Sequence, residues 1–281
     1  MNKKKIVLAV DDIGMSFSQY TTGFAIPMDA YYLLRELAHE FNIIIPVAAI
    51  AAFLDVDNIS GKAEVNRDAD RIIDFLKTNS EALPVWNHGL THRYGERLTE
   101  FLLYTTDESV PRSVQHDHLA ASQEIIEKAG LGRPSILVPP GHAWEPDVTD
   151  VVAMELGFRG IAIVEGIKTP FKQWVRHPNK PFKKTWPPSR HLNSLFRLSL
   201  GISVLKNTIE WKDYLKMHQY ILPSNRIIEY LARRTRGSGV QHDHFYAHIQ
   251  NFVDIKSLRF WRRIIRDLLI WEKRKGLPIK P

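Results

Sequence analysis

The sequence predicts an α/β fold in which βα units wrap a parallel sheet, and two observations predict it. Short apolar, β-branched runs alternate along the chain with stretches of helical spacing, the pattern of strands that need helices over their outer face. The chain has 281 residues, 44% of them hydrophobic. That supplies one large core, and a single α/β barrel typically uses about 250 residues. Residues 1–281 therefore read as a single domain.

The elements follow in order. Ile6–Val10 is the first strand, ended by Asp11-Asp12. Met28–Phe41 carries Tyr31, Leu34, Leu37 and Phe41 at helical spacing and leads into a second buried strand, Ile43–Ile50. A charged helix from about Asn66 to Thr78 precedes the third strand, Leu83–Trp86. Ser113 is placed to cap a helix over Gln115–Ala129, which Gly130 and Gly132 stop. Ser135–Val138 is a fourth strand, followed by a Pro-Pro-Gly turn. A helix near Val148–Leu156 ends at Gly157 ahead of a strand over Gly160–Val164.

From Glu165 to Pro223 the pattern weakens, and Pro170, Pro178, Pro181, Pro187 and Pro188 punctuate it. Its aromatic residues argue against a disordered linker, so it reads as a basic insertion or long crossover at about 165–223. Regular structure resumes with a Ser224-capped helix, a strand over Gln241–Ile249 and a basic helix from Ser257 to about Lys275.

Composition removes several kinds of chemistry. There is no cysteine, which excludes disulfides, thiolate metal sites and a cysteine nucleophile. A metal could be held only by His and carboxylates. Gly130-x-Gly132 closes a helix rather than opening one, so it is no dinucleotide fingerprint. Neither a phosphate-binding Gly-Lys-Ser/Thr loop nor a Gly-x-Ser-x-Gly elbow occurs. Ile6–Val10 is too short for the apolar core of a secretory signal, and no apolar run approaches the ~18 residues that span a bilayer. A cytoplasmic protein is the expectation.

Charge is divided unevenly. Residues 1–165 carry 14 Lys+Arg against 24 Asp+Glu, whereas residues 166–281 carry 24 against 7. A net of −10 thus sits beside a net of +17, together the +7 of the chain. Trp174, Trp186, Phe196 and Trp211 are interleaved with Lys172, Arg176, Lys183, Lys184 and Arg190. Basic and aromatic residues together suit an anionic lipid carrier or a membrane surface, although a merely solvated basic face has the same composition.

Three motifs carry chemistry. Asp11-Asp12 follows the first strand, at the C-terminal rim where α/β barrels gather their catalytic groups. Two adjacent carboxylates repel, and a nearby cation relieves that repulsion. His88-Gly89-Leu90-Thr91-His92 follows the third strand, and its i, i+4 spacing places both imidazoles on one side of a helical turn, able to share an ion such as zinc. A surface pair of histidines would have the same spacing; what favours a site is that both motifs follow strands. Alternation along Gln241–Ile249 places His244, Tyr246 and His248 on one face, where His248 could donate a proton or sit as a satisfied core histidine. His142 and Trp144, after the Pro-Pro-Gly turn, could contact a sugar ring, Trp144 by stacking, and a plainly packed Trp fits the same place as well. His116 and His118 point apart on their helix and read as surface residues.

The order of these motifs resembles the polysaccharide deacetylases related to chitooligosaccharide deacetylase: Val-Asp-Asp, then Asn-His-Gly-x-x-His, then Val-Pro-Pro-Gly, then a late Tyr-Ala-His. The His-Gly-x-x-His segment followed by Glu100-Phe101 is closest to an uncharacterised bacterial branch of that superfamily. The resemblance covers Lys5–Phe158 and the chain from His242 onward. It implies a distorted (β/α)7 barrel and a metal-dependent hydrolase that removes N-acetyl groups from an amino sugar or glycan. Asp12, His88 and His92 would be metal ligands, Asp11 the base and His248 the acid. Pro140, Gly141, His142, Trp144 and Tyr246 would line the substrate groove. The sequence departs from the family where an Arg usually precedes the Pro-containing turn: that position is Val138, and Arg93 is the candidate to replace it.

Two other readings share the residues. One is a hydrolase of the same fold acting on a non-sugar amide or imide. The other is a non-enzymatic module whose basic half binds an anionic surface or nucleic acid, a reading that leaves two carboxylates and two histidines at strand ends without a purpose.

Overall fold

The computed structural model describes residues 5–6, 8–15, 26–62, 65–95, 99–103, 108–164, 203–210, 244–254 and 258–274. Among the described residues, seven parallel strands close a barrel: β2 (Leu8–Ile13), β4 (Val47–Ala49), β5 (Val85–Asn87), β8 (Ile136–Leu137), β9 (Gly160–Val164), β10 (Ser203–Glu210) and β11 (His244–His248). They follow one another around the barrel in chain order, and β11 returns to pair with β2. Two small sheets flank it, β1 (Lys5–Ile6) with β3 (Ile43–Ile44) and β6 (Leu102–Leu103) with β7 (Glu108–Ser109). The helices are α1 (Met28–Glu40), α2 (Ala69–Thr78), α3 (Arg112–Lys128), α4 (Pro146–Glu155), α5 (Ile249–Asp254) and α6 (Leu258–Arg274). Among the described residues no helix is long and apolar enough to cross a membrane.

Strand alternation divides the core into two layers. Leu8, Val10, Val47 and Ala49 pack with Tyr31, Leu34, Leu37, Ile72 and Leu76 of α1 and α2. Phe252 of α5 and Trp261 of α6 join that layer, stacked with ring centroids 3.9 Å apart. The intervening residues Ala9, Ala48, Trp86, Val138 and Ala162 form a separate cluster. Three alanines beside one tryptophan are what a narrow barrel interior accommodates.

Several expected boundaries move. The Ile43–Ile50 run is interrupted at Ile45-Pro46, because proline has no N–H for the ladder. Ser113 does not cap α3: Pro111 holds the N-cap and Ser113 lies inside the first turn. The stretch at 165–223 supplies strand β10 of the barrel. The rest of that stretch lies outside the described residues, as does the helix expected after Ser224.

Candidate metal centre at the barrel mouth

Strand β2 runs through Asp11-Asp12 rather than stopping before it. Val10 pairs with Val47 but Ile13 with Ala49, so β2 carries one extra residue there. That is a bulge, and bulges re-aim side chains. Asp12 sits in it at φ 67, a left-handed conformation that Asp tolerates better than most residues. The bulge breaks alternation, and both consecutive carboxylates are buried at the same end of the barrel. In the ladder His248 is the partner of Asp11, which brings the last strand to the same rim.

The His88–His92 segment is a loop and not the expected helical turn. Gly89 at φ 79 and His92 at φ 65 fold it back on itself. Asn87, the last residue of β5, anchors it by accepting the Gly89 N–H at 2.8 Å and donating to Ser122 Oγ on α3 at 2.6 Å. The two imidazoles meet edge to face, with centroids 5.1 Å apart.

These elements converge on one point. Asp12 Oδ1 lies 3.3 Å from His88 Nε2 and 3.6 Å from His92 Nε2. One ligand atom from each of Asp12, His88 and His92 falls within 4.8 Å of the others. Ligand atoms about 2.0–2.1 Å from a tetrahedral zinc stand roughly 3.3–3.4 Å from one another, so the donor set fits such an ion in spacing and in kind. His88 Nδ1 lies 2.7 Å from the Val138 carbonyl, which only accepts; this sets the proton on Nδ1 and turns the Nε2 lone pair toward Asp12. Val138 thus orients the His88 ring through its backbone carbonyl.

The electrostatics separate the two carboxylates. Burial pushes Asp11 up to about 6, against the pull of His88 and His248. Burial acts on Asp12 in the same direction but is overcome: His248, His88 and His92 hold its carboxyl well below the usual carboxylate range. Burial pulls His92 down to about 4, so it is neutral at pH 7, the form that ligates metals. Burial opposes protonation of His88 as well, yet Asp12, Asp11 and the Val138 carbonyl raise it.

The other expected residues divide. His248, about a third exposed, reaches Asp12 Oδ2 at 3.9 Å. Arg93 contributes its charge to His92, and His88, His248 and Asp12 act on Asp11. Pro140-Gly141-His142 forms a short 3₁₀ turn with Gly141 at φ 61. Trp144 corrects the sequence reading: it is 1% exposed and packs with Phe101, Leu119, Leu137 and Val152, so its ring is not available to stack on a sugar. Tyr246 lies in β11 beside Ala9, but its side chain, like that of His142, is outside the described ones. Sequence reasoning missed Gln250, whose Nε2 donates to Asp12 Oδ2 at 3.0 Å and leaves Oδ1 turned to the histidines. No sequence pattern links positions 238 residues apart; only closure of the barrel does.

No family model and no curated protein matches the chain. Solved structures do. A family 4 carbohydrate esterase from Streptomyces lividans aligns at 12% identity and a TM-score of 0.44, over 98% of this chain and 91% of that one. A CE4 family pseudoenzyme from Bacillus anthracis aligns at 13% and 0.45, over 98% of this chain and 62% of that one. A 4-alpha-glucanotransferase from Thermococcus litoralis aligns at 13% and 0.48, over 98% and 38%.

Proposed function

We propose that this protein is a metal-dependent hydrolase that removes N-acetyl groups from an amino sugar or glycan. The observation that carries the reading is the convergence of Asp12, His88 and His92 within 4.8 Å, with a second buried carboxylate and a third histidine on the same rim. A divalent cation held by those three residues, zinc being the expectation for two imidazoles and one carboxylate, would polarise an acyl oxygen and lower the pKa of water.

The chain's own groups supply the rest. Two carboxylates whose environments drive their pKa values apart take different roles. Asp12, held ionised, is suited to a cation. Asp11, raised to about 6, is suited to take a proton from the attacking water near neutral pH. An amine leaves an acyl carbon only once protonated, and His248 stands across the site with solvent access to give that proton. The sugar as substrate rests on the motif order, and an anionic carrier for it rests on the +17 excess over residues 166–281. A cytoplasmic location is part of the same proposal.

Acetate release from a panel of acetylated amino sugars tests the reading. It should be abolished by a chelator and restored by a divalent cation. Metal-replete protein that releases no acetate from any sugar but opens cyclic imides or cleaves other amides would replace the sugar with the second substrate class.

A further inference from the structure

We propose that Glu100 and His118 form a brace that sets His92 in ligating position, making Glu100 a positioning residue for the metal centre. The inference deepens the metal-site reading and rests on it. Glu100 is 0% exposed, an uncommon state for a carboxylate, and its two oxygens are committed to one loop. Oε1 accepts the Leu90 N–H at 3.0 Å and Oε2 accepts the His92 N–H at 3.0 Å. A single carboxylate therefore holds two backbone donors of that loop, those of Leu90 and His92.

The third partner comes from α3. His118 Nδ1 lies 2.7 Å from Glu100 Oε1, and its side chain is 18% exposed, so it is not the surface residue its helical spacing suggested. His116, two residues earlier, does face outward. The helix that carries His118 also packs Ile125 and Ile126 against Leu90 in the loop. Position is thus transmitted from a rigid helix, through His118 and Glu100, to the backbone of His92.

Two features show that the loop needs this hold. His92 keeps φ 65, a conformation that non-glycine residues leave unless surrounding contacts impose it. Gly89, at φ 79, is the point where a Cβ would run into the Glu100 carboxylate, so the loop closes on that group too tightly for any side chain there. Partners that orient a metal ligand are typically worth about 10–100-fold in metal affinity.

The test is titration of the metal-free full chain with Zn²⁺, repeated with Co²⁺ to read coordination geometry from its visible spectrum, together with the melting temperature of each metal-free variant. Glu100→Gln keeps the volume but turns an NH₂ toward one of the three donors, and should weaken binding by about 10–100-fold and alter the Co²⁺ spectrum. His118→Ala should weaken it less, and His118→Asn, which retains a donor, should recover part of the loss. A Glu100→Gln protein with a lowered melting temperature but wild-type affinity and spectrum would overturn the brace, leaving Glu100 a structural residue only. If that variant does not fold, His118→Ala decides alone, and unchanged affinity overturns the proposal. Wild-type protein that takes up neither ion overturns the metal reading itself, a result distinct from the loss of the brace.

Discussion

Replacing Asp11 by Asn should stabilise the metal-free protein while disabling it. Asp11 is 1% exposed and burial raises its carboxyl from 3.8 to about 6. The native fold therefore holds the proton more tightly than the unfolded chain does. Stability from this group is full below the unfolded value and is lost as pH rises through about 6. A shift of about two units corresponds to ~3 kcal/mol once both states are ionised. Asn is nearly isosteric and has no proton to lose. Chelator-treated Asp11→Asn should exceed wild type by about 1 kcal/mol near pH 4.5 and by ~3 kcal/mol at pH 8. Urea unfolding at the two pH values measures the gap. With a cation restored, the variant should keep its metal and lose roughly 10²–10⁴-fold in turnover. A gap that is absent, or that shrinks as pH rises, refutes the assignment of Asp11 as a desolvated carboxylate.

Two further outcomes follow from parts of the molecule away from that carboxylate. Trp261→Ala removes a fully buried ring stacked on Phe252 and should cost about 3–5 kcal/mol in chemical unfolding, with cation affinity of the folded protein unchanged. The full chain should co-sediment with anionic but not neutral liposomes at low salt, and lose that binding as added salt shortens the Debye length; equal behaviour on both vesicles removes the membrane version of the anionic partner.

Strands whose signal is local were legible in the sequence. Gly160–Val164, an apolar β-branched run set off by Gly157, has the same bounds in the sequence pattern and in the structure. In the sequence the first strand ends at Val10, because two carboxylates look like a turn; burial at the mouth and the bulge at Asp12 carry it to Ile13. Ser113 looked like a cap by residue type, but Pro111 starts the helix earlier. The H-x-x-x-H spacing singles out two residues whose rings do meet, but a loop with two left-handed residues, not a helical turn, brings them together. Trp144 stays ambiguous in the sequence because nothing in its neighbours distinguishes a groove wall from the core cluster it joins. Gln250 leaves no signal and Glu100 only its place in a motif, since their partners are set by closure of the barrel and by a loop that folds back across ten residues.

Metal binding tests the central claim most directly. Metal-free wild type titrated with Zn²⁺ should take up one equivalent per chain, and His92→Ala and Asp12→Asn, each reducing three protein ligands to two, should lose most of it. Full, tight uptake by either variant, or none by wild type, would contradict the assignment of Asp12, His88 and His92 as the metal centre.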